Sequence, residues 1–139
     1  MEGRQAALRK KILAEMTVDY SNLLEKNFDL AKQFVRLLRD GSVELLVKDK
    51  LGGKEQILLY LMGKLYSKEA GLATTFEVGN AELMDQLGMP IGSLLPFLKD
   101  LRDANKVRQV KREKNVYHSL PPGQIEETLT ALERKVRKE

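Results

Sequence analysis

The chain has 139 residues, 42% of them hydrophobic and 32% charged, which is enough for one domain with a real core and argues against wholesale disorder. With no cysteine and one histidine, it cannot form disulfides, thiolate or histidine-rich metal sites, or cysteine nucleophiles. The net charge is a mild +4, and no apolar run approaches the roughly 20 residues that span a bilayer, so we expect a cytoplasmic protein with no membrane partner.

Two helices are predicted at the start of the chain. Leu8, Ile12 and Met16 lie one turn apart, which predicts a short amphipathic helix over residues 2–16. A second helix is predicted from about residue 22 to residue 38, where apolar residues recur at the alternating spacings of a heptad seam. These residues are Leu24, Phe28, Ala31, Val35 and Leu38. Because so apolar a helix must be covered by its own chain or by a second copy, the seam is a candidate homodimer interface.

A turn and a strand are expected to complete the first 53 residues. Asp40-Gly41 is predicted to end the second helix, with Gly41 as a left-handed cap. Val43, Leu45 and Val47 alternate with other residues, which predicts a short strand. We therefore interpret residues 1–53 as an N-terminal extension that packs on the remainder of the chain or dimerises.

Residues 54–120 are predicted to form three helices and a small sheet. Helical periodicity runs over 54–70, a short β-branched strand is expected at 74–78, and Asn80 is expected to cap a helix over 81–87. A third helix follows Gly88 and runs to about residue 105. The predicted core of this region contains six leucines: Leu58, Leu61, Leu83, Leu87, Leu98 and Leu101.

A basic hairpin is predicted after the third helix, with strands at 107–111 and 116–120 and a polar tip at 112–115. Residues 105–118 contain five basic residues and one acidic residue, a surplus equal to that of the whole chain. Such a cluster is the footprint of a polyanion partner, but it is equally typical of a solvated hairpin tip. His118, in the second strand, could contact phosphate, but we expect a half-exposed residue without a function.

The last segment, residues 121–139, is predicted to be an amphipathic helix after a Pro-Pro-Gly break. Its apolar stripe consists of Ile125, Leu129, Leu132 and Val136. This stripe either packs on the back of the preceding domain or forms a second candidate homodimer interface.

The order of these elements resembles that of the winged helix-turn-helix superfamily, as found in many archaeal and bacterial regulators. The stretch 82–90 resembles the first helix and turn of the motif, and Leu94, Leu98 and Leu101 match the core face of its second helix. The resemblance covers about half of the chain. It implies a mostly α protein with a small antiparallel sheet, in which a winged helix-turn-helix at 54–120 carries flanking N- and C-terminal helices.

The resemblance also implies a role in binding nucleic acid, most simply duplex DNA in transcription regulation. The second helix would lie in the major groove and the basic hairpin, or wing, would hold phosphates. The candidate contact residues are Ser93, Lys99, Arg108, Lys111, Arg112 and Lys114.

The start of the second helix departs from the pattern of a DNA reader, because Ser93 is almost its only group able to hydrogen-bond a base edge. Pro96 would cost about 3 kcal/mol inside a helix, so we expect Ser93 to be the N-cap and the helix to begin at Leu94. Leu95, Pro96 and Phe97 would then leave an apolar surface, which favours a protein-interaction module as the alternative function. Nothing assembles a catalytic site, so we predict a non-enzyme without a cofactor or metal.

Overall fold

The computed structural model describes residues 2–16 and 20–137, which form helices and short antiparallel strands. The helices are α1 (Glu2–Glu15), α2 (Tyr20–Lys26), α3 (Phe28–Ala31), α4 (Gly53–Glu69), α5 (Asn80–Leu87), α6 (Ile91–Asp103) and α7 (Ile125–Arg137). The strands are β1 (Val35–Leu37), β2 (Val43–Leu45), β3 (Val78–Gly79), β4 (Arg108–Arg112) and β5 (Asn115–Ser119). The expectation of a mostly helical protein with a small antiparallel sheet is confirmed.

The predicted continuous helix over residues 22–38 is wrong. The chain instead forms α2, the single turn α3 and then β1, which pairs with β2 so that Val35 lies opposite Leu45. The heptad residues separate accordingly: Leu24, Ala31 and Val35 are buried, whereas Phe28 and Leu38 are 51% and 41% exposed. A strand at 43–45 needs a hydrogen-bonded partner, and the adjacent β-branched Val35 segment supplies it.

The Asp40-Gly41 pair is the turn of this hairpin and not the cap of a helix. Gly41 has a φ of +90°, and the Oδ1 atom of Asp40 accepts hydrogen bonds from the amide and hydroxyl of Ser42. Gly41 does adopt the left-handed conformation that the sequence predicts. A left-handed glycine can either end a helix or form the turn of a β-hairpin, and here it forms the turn.

Helix α4 is the centre of the fold. Four successive residues, Leu59 to Met62, have no measurable exposure, so this helix is covered on all sides. The β1–β2 hairpin packs so closely on it that a methyl group on Gly63 would overlap Val43. The six leucines of the predicted core are buried in one cluster, which confirms that prediction.

A polar network ties α4 to the first hairpin and to α5. The Nζ atom of buried Lys64 lies 3.2 Å from the Gly41 carbonyl oxygen and 3.2 Å from Oε2 of Glu82. Tyr60 donates a 2.6 Å hydrogen bond to the same Glu82 oxygen, and Ser67 donates to the Gly41 carbonyl. Burial, followed by the contact with Glu82, raises the pKa of Tyr60, so its hydroxyl is a donor throughout the physiological range.

The second sheet contains three antiparallel strands in the order β3-β5-β4. The expected strand at 74–78 is much shorter, since only Val78 and Gly79 pair with β5. Gly79, and not Asn80, is the N-cap of α5, because the side chain of Asn80 is engaged with His118. The predicted hairpin at 107–120 is confirmed, with a tighter turn at residues 113–114.

The predicted start of α6 at Leu94, behind a Ser93 cap, is wrong. The helix begins at Ile91 with Pro90 as its N-cap, so Pro96 lies in the interior. Because Pro96 has no N–H group, the carbonyl of Gly92 lacks its helical hydrogen bond. Gly92 is exposed to water, which reduces the cost of the missing hydrogen bond. The longer helix buries Leu94, Leu98 and Leu101 together.

Helix α7 closes the core from the other end of the chain. Ile125, Leu129 and Leu132 are buried, and Val136 packs against the same cluster. Of the two alternatives for this stripe, packing within one chain is therefore the one that the structure supports. None of the helices described is long and apolar enough to cross a membrane.

Candidate nucleic-acid interface

The β4–β5 hairpin projects its basic residues into solvent. All five residues of β4 are exposed, so neither face of this strand is covered. In the pairing register, Lys111 lies opposite Val116 and Arg112 opposite Asn115. Alternation along the strand places Arg108 and Arg112 on one face and Lys111 on the other, so the hairpin presents cations on both sides.

The four basic residues predicted here differ in how far their charge is available. Arg108, Lys111 and Lys114 form no ion pair with any residue in the described ranges. Arg112 forms an ion pair with Glu77, which lies outside the hairpin and was not among the predicted site residues. Three predicted cations are therefore free to bind an external anion, and the fourth is already partly neutralised.

The hairpin turn adds one unfavourable feature for an anion. Glu113 is exposed between Arg112 and Lys114 and places a carboxylate at the tip. Its backbone has a φ of +56°, which is in the left-handed region. This conformation is uncommon for residues other than glycine and asparagine.

A cleft of about 290 Å³ lies beside the hairpin. Lys114, Asn115 and Tyr117 form one wall, and the start of α5 at residues 79–81 forms the other. The basic cluster predicts Lys114 as a contact residue but not Asn115 or Tyr117, because their approach to α5 depends on the β3–β5 pairing, in which Val78 and Gly79 are the β3 residues.

The exposed surface of α6 carries no net charge and few hydrogen-bonding groups. Lys99 pairs with Asp103 at 3.1 Å, and Asp100 pairs with Lys54 of α4 at 2.8 Å. The hydrogen bond and charge of Lys54 hold the pKa of Asp100 below its usual range. Ser93, the predicted base-reading residue, is half-buried. The structure therefore does not bring Ser93 and Lys99 together with the hairpin cations as one uniformly basic surface.

An apolar surface is present at the start of α6, as expected, but its composition differs from the prediction. Leu95 and Pro96 are exposed, and Ile91, one turn earlier, joins them at 43% exposure. Phe97 is half-buried and lies directly over Gly53 at the start of α4, where a methyl group would overlap its ring. The spacing of four residues between Ile91 and Leu95 indicates this patch only if the helix begins at Ile91. The predicted start at Leu94 left Ile91 outside the helix.

His118 anchors the hairpin to the helices, and the expectation of a half-exposed residue is wrong. It is 1% exposed, and its Nε2 atom lies 2.6 Å from Oδ1 of Asn80. Burial, together with the nearby charge of Arg102, lowers the pKa of His118 to about 4. The imidazole is therefore neutral near pH 7 and is a structural group beneath the hairpin.

The described residues contain no group of three or more acidic or histidine side chains placed to hold a metal ion. Comparison of the chain with protein-family models, curated proteins and solved structures gives no match. The function must therefore be inferred from the surfaces themselves.

Proposed function

We propose that this protein is a winged-helix protein that binds duplex DNA mainly through phosphate contacts from the β4–β5 hairpin. The observation that carries the proposal is the set of three unpaired, exposed cations on that hairpin, Arg108, Lys111 and Lys114. A protein that neutralises phosphates releases condensed counterions, so such a cluster gives binding that depends steeply on salt and little on sequence.

The arrangement of elements supports a winged-helix assignment. The order α4-β3-α5-α6-β4-β5 and the strand order β3-β5-β4 are those expected of such a domain. In this assignment α5 and α6 are the helix-turn-helix, joined at Gly88, whose φ of +66° provides the sharp bend. The hairpin is the wing.

The surface of α6 supports weak sequence discrimination. A base-reading helix places donors and acceptors in the major groove, whereas the exposed residues here include Ile91 and Leu95, and Lys99 is engaged by Asp103. The wing therefore supplies most of the affinity, and the cleft beside Lys114 offers room for a backbone phosphate.

A second candidate function is that of a protein-interaction module. Ile91 and Leu95 are one turn apart on α6 and each is more than 40% exposed, an arrangement typical of a helix that docks in a partner's groove. This function would use the apolar patch and leave the wing without a role.

The experiment that tests the proposal measures binding of the full chain to random duplex DNA over a range of salt concentrations. The test variant is the double reversal Lys111→Glu/Lys114→Glu. Its matched control is Arg36→Glu/Arg39→Glu, which makes the same change in net charge at exposed positions in the other hairpin. We expect binding by the wild type and the control, and a flatter salt dependence for the wing variant, by roughly one unit of slope for each lost phosphate contact.

Equal weakening by both double variants would mean that only net charge matters and would remove the wing from the proposal. If the wild type fails to bind duplex DNA even at low salt, the proposal is wrong. If Leu95→Ser then abolishes an association that the wing variant retains, the protein-interaction function is the correct one.

A further inference from the structure

An apolar groove runs between α2, α3, β1 and the C-terminal half of α4. It consists of three adjoining cavities of about 100, 160 and 360 Å³. They adjoin because they share lining residues: Leu24 and Glu69 line the first and third, and Phe28 and Tyr66 line the second and third. Phe28 remains 51% exposed at the centre. Several of the residues that the sequence assigned to a helical seam thus line a groove instead.

The charge of the largest cavity is negative. Its lining includes the carboxylates of Glu25 and Glu69 and no basic residue, whereas the two adjoining cavities each contain one lysine, Lys68 and Lys32. Lys32 pairs with Asp29 and lies over the ring of Phe28. Neither carboxylate forms an ion pair with a residue in the described part of the chain, although Glu69 accepts a 2.7 Å hydrogen bond from Ser21. The hydroxyl of Tyr66 donates a hydrogen bond to the Leu24 carbonyl, so the ring of Tyr66 and not its polar atom faces a ligand.

The N-terminal helix α1 has the complementary surface. Leu8, Leu13 and Met16 are 58%, 59% and 79% exposed, so this helix is not packed into its own core. Positions 8, 9, 12, 13 and 16 follow the three-to-four spacing of one helical face, and among these five positions Arg9 is the charged residue. Arg9 forms no ion pair with the described residues.

We propose that α1 of one copy of this chain docks in the groove of a second copy, giving a symmetric dimer. The apolar face of α1 would cover Phe28 and Tyr66, and its one cation, Arg9, would meet the unpaired carboxylates of Glu25 and Glu69. Two-fold symmetry makes this contact twice, because each copy contributes both a helix and a groove. The fourteen residues of α1 give a rod roughly 21 Å long, which can extend over more than one of the cavities.

The choice of a second copy rests on two observations. One chain contains both an exposed apolar helix face and an exposed apolar groove, and the charge of Arg9 on the helix complements the carboxylates of the largest cavity. In addition, Leu8, Leu13 and Met16 of α1 and Phe28 at the centre of the groove are all more than half exposed among the residues that the structure describes. Pairing across two copies covers both surfaces at once.

The oligomeric state of the full chain tests this inference, measured by sedimentation over a range of concentrations. We expect a concentration-dependent dimer. Leu13→Asp should raise the dissociation constant by at least about tenfold, since each contact loses a buried leucine. Ala7→Asp is the matched control, because it introduces the same charge on the opposite face of α1 and should leave the dimer intact. Both positions are exposed, so neither variant should change the melting temperature of the dilute, monomeric protein.

Charge exchange adds a sharper test of the register. Arg9→Glu alone and Glu25→Arg alone should each weaken the dimer, and the double variant should regain most of the loss. Failure of the double variant to regain affinity would overturn the proposed pairing of α1 with this groove.

The absence of cysteine allows a direct test of the occupant. Mixing Leu13→Cys protein with Glu25→Cys protein under oxidation should give a disulfide-linked heterodimer. A wild type that stays monomeric at every concentration would overturn the proposal. So would a Leu13→Cys/Glu25→Cys chain that closes within one dilute molecule while the mixture gives no heterodimer, because the groove would then belong to its own α1.

Discussion

The Nε2 atom of His118 lies 2.6 Å from Oδ1 of Asn80, and this contact joins the last strand of the sheet to the first turn of α5. A ring that donates from Nε2 to this oxygen leaves Nδ1 as a bare acceptor, and that atom is buried with no partner in the described residues. Protonation would place a second N–H group there, without an acceptor and near the charge of Arg102. The geometry therefore favours the neutral ring.

The first prediction is that this site makes the protein lose stability in mild acid. The pKa of His118 falls from 6.5 to about 4 on folding, so between these values the unfolded state binds more protons than the folded state. Stability is therefore full above about pH 6.5, decreases as the pH falls toward 4, and loses nothing further from this group below that. The free energy of unfolding changes by at most about 1.4 kcal/mol per pH unit, because one proton is involved.

Urea unfolding of the wild type and of His118→Gln across this pH range measures the effect. Gln keeps a donor for Asn80 but does not titrate, so the difference between the two curves isolates the histidine from carboxylates such as Asp40, whose pKa is lowered by its hydrogen bonds from Ser42. Parallel curves would contradict the prediction.

The second prediction compares two glycines in the first turns of helices. At Gly53, which begins α4, a methyl group would overlap the ring of Phe97, whereas at Gly92, in α6, nothing lies within 4 Å of the added carbon. Gly53→Ala should therefore destabilise the protein by about 1–3 kcal/mol through overpacking. Gly92→Ala should stabilise it by about 0.4–1 kcal/mol by restricting the unfolded chain.

Chemical denaturation of the two variants measures these opposite signs. In Phe97→Leu protein, the penalty of Gly53→Ala should shrink, because the smaller side chain leaves room for the methyl group. An unchanged penalty in that background would show that Phe97 is not the residue responsible.

The helical core and the β4–β5 hairpin could be predicted from the sequence because their signals are local. The period of α4 and α7, the glycine stop at Gly88 and the polar tip near Glu113 each act within a few residues. The same locality explains the main failure. Residues 35–37 satisfy a helical spacing and a strand equally well, and the deciding factor was the need of β2 for a partner across the Gly41 turn.

The candidate site was predictable in its residue types but not in its pairing. The basic residues of the β4–β5 hairpin are visible in the sequence, but the Glu77 partner of Arg112 lies 35 residues away, and the Asp100 partner of Lys54 lies on another helix. The burial of His118 also depends on the long-range β3–β5 contact. Charge counting cannot find such contacts, because it records how many ionic groups a segment has and not which of them are neutralised.

The third prediction compares the loss of Lys64 with the loss of its ion-pair partner Glu82. Lys64 is almost fully buried, whereas the side chain of Glu82 is 35% exposed and also receives the Tyr60 hydroxyl. Glu82→Leu should therefore cost more than Lys64→Met, since it leaves a buried cation with only the Gly41 carbonyl. Removing the lysine leaves a carboxylate that still has a donor and solvent. Denaturant midpoints of the two variants should differ in this direction, and a larger loss for Lys64→Met would contradict it.

The last prediction separates the effect of backbone conformation from that of charge at the tip of the β4–β5 hairpin. Glu113 has a φ of +56° and directly precedes Lys114, one of the three cations that we propose bind phosphate. Glu113→Gln removes the charge and keeps an unfavourable residue in the left-handed region, whereas Glu113→Asn removes the charge and supplies a residue that tolerates it. Both variants should bind random duplex DNA more tightly than the wild type, most clearly at low salt, where repulsion is least screened. Only Glu113→Asn should also raise the melting temperature, by the few degrees that about 0.5–1 kcal/mol of relieved strain gives a domain of this size. If Glu113→Asn gains stability but neither variant gains affinity, the tip does not face DNA, and the phosphate contacts would have to come from another surface.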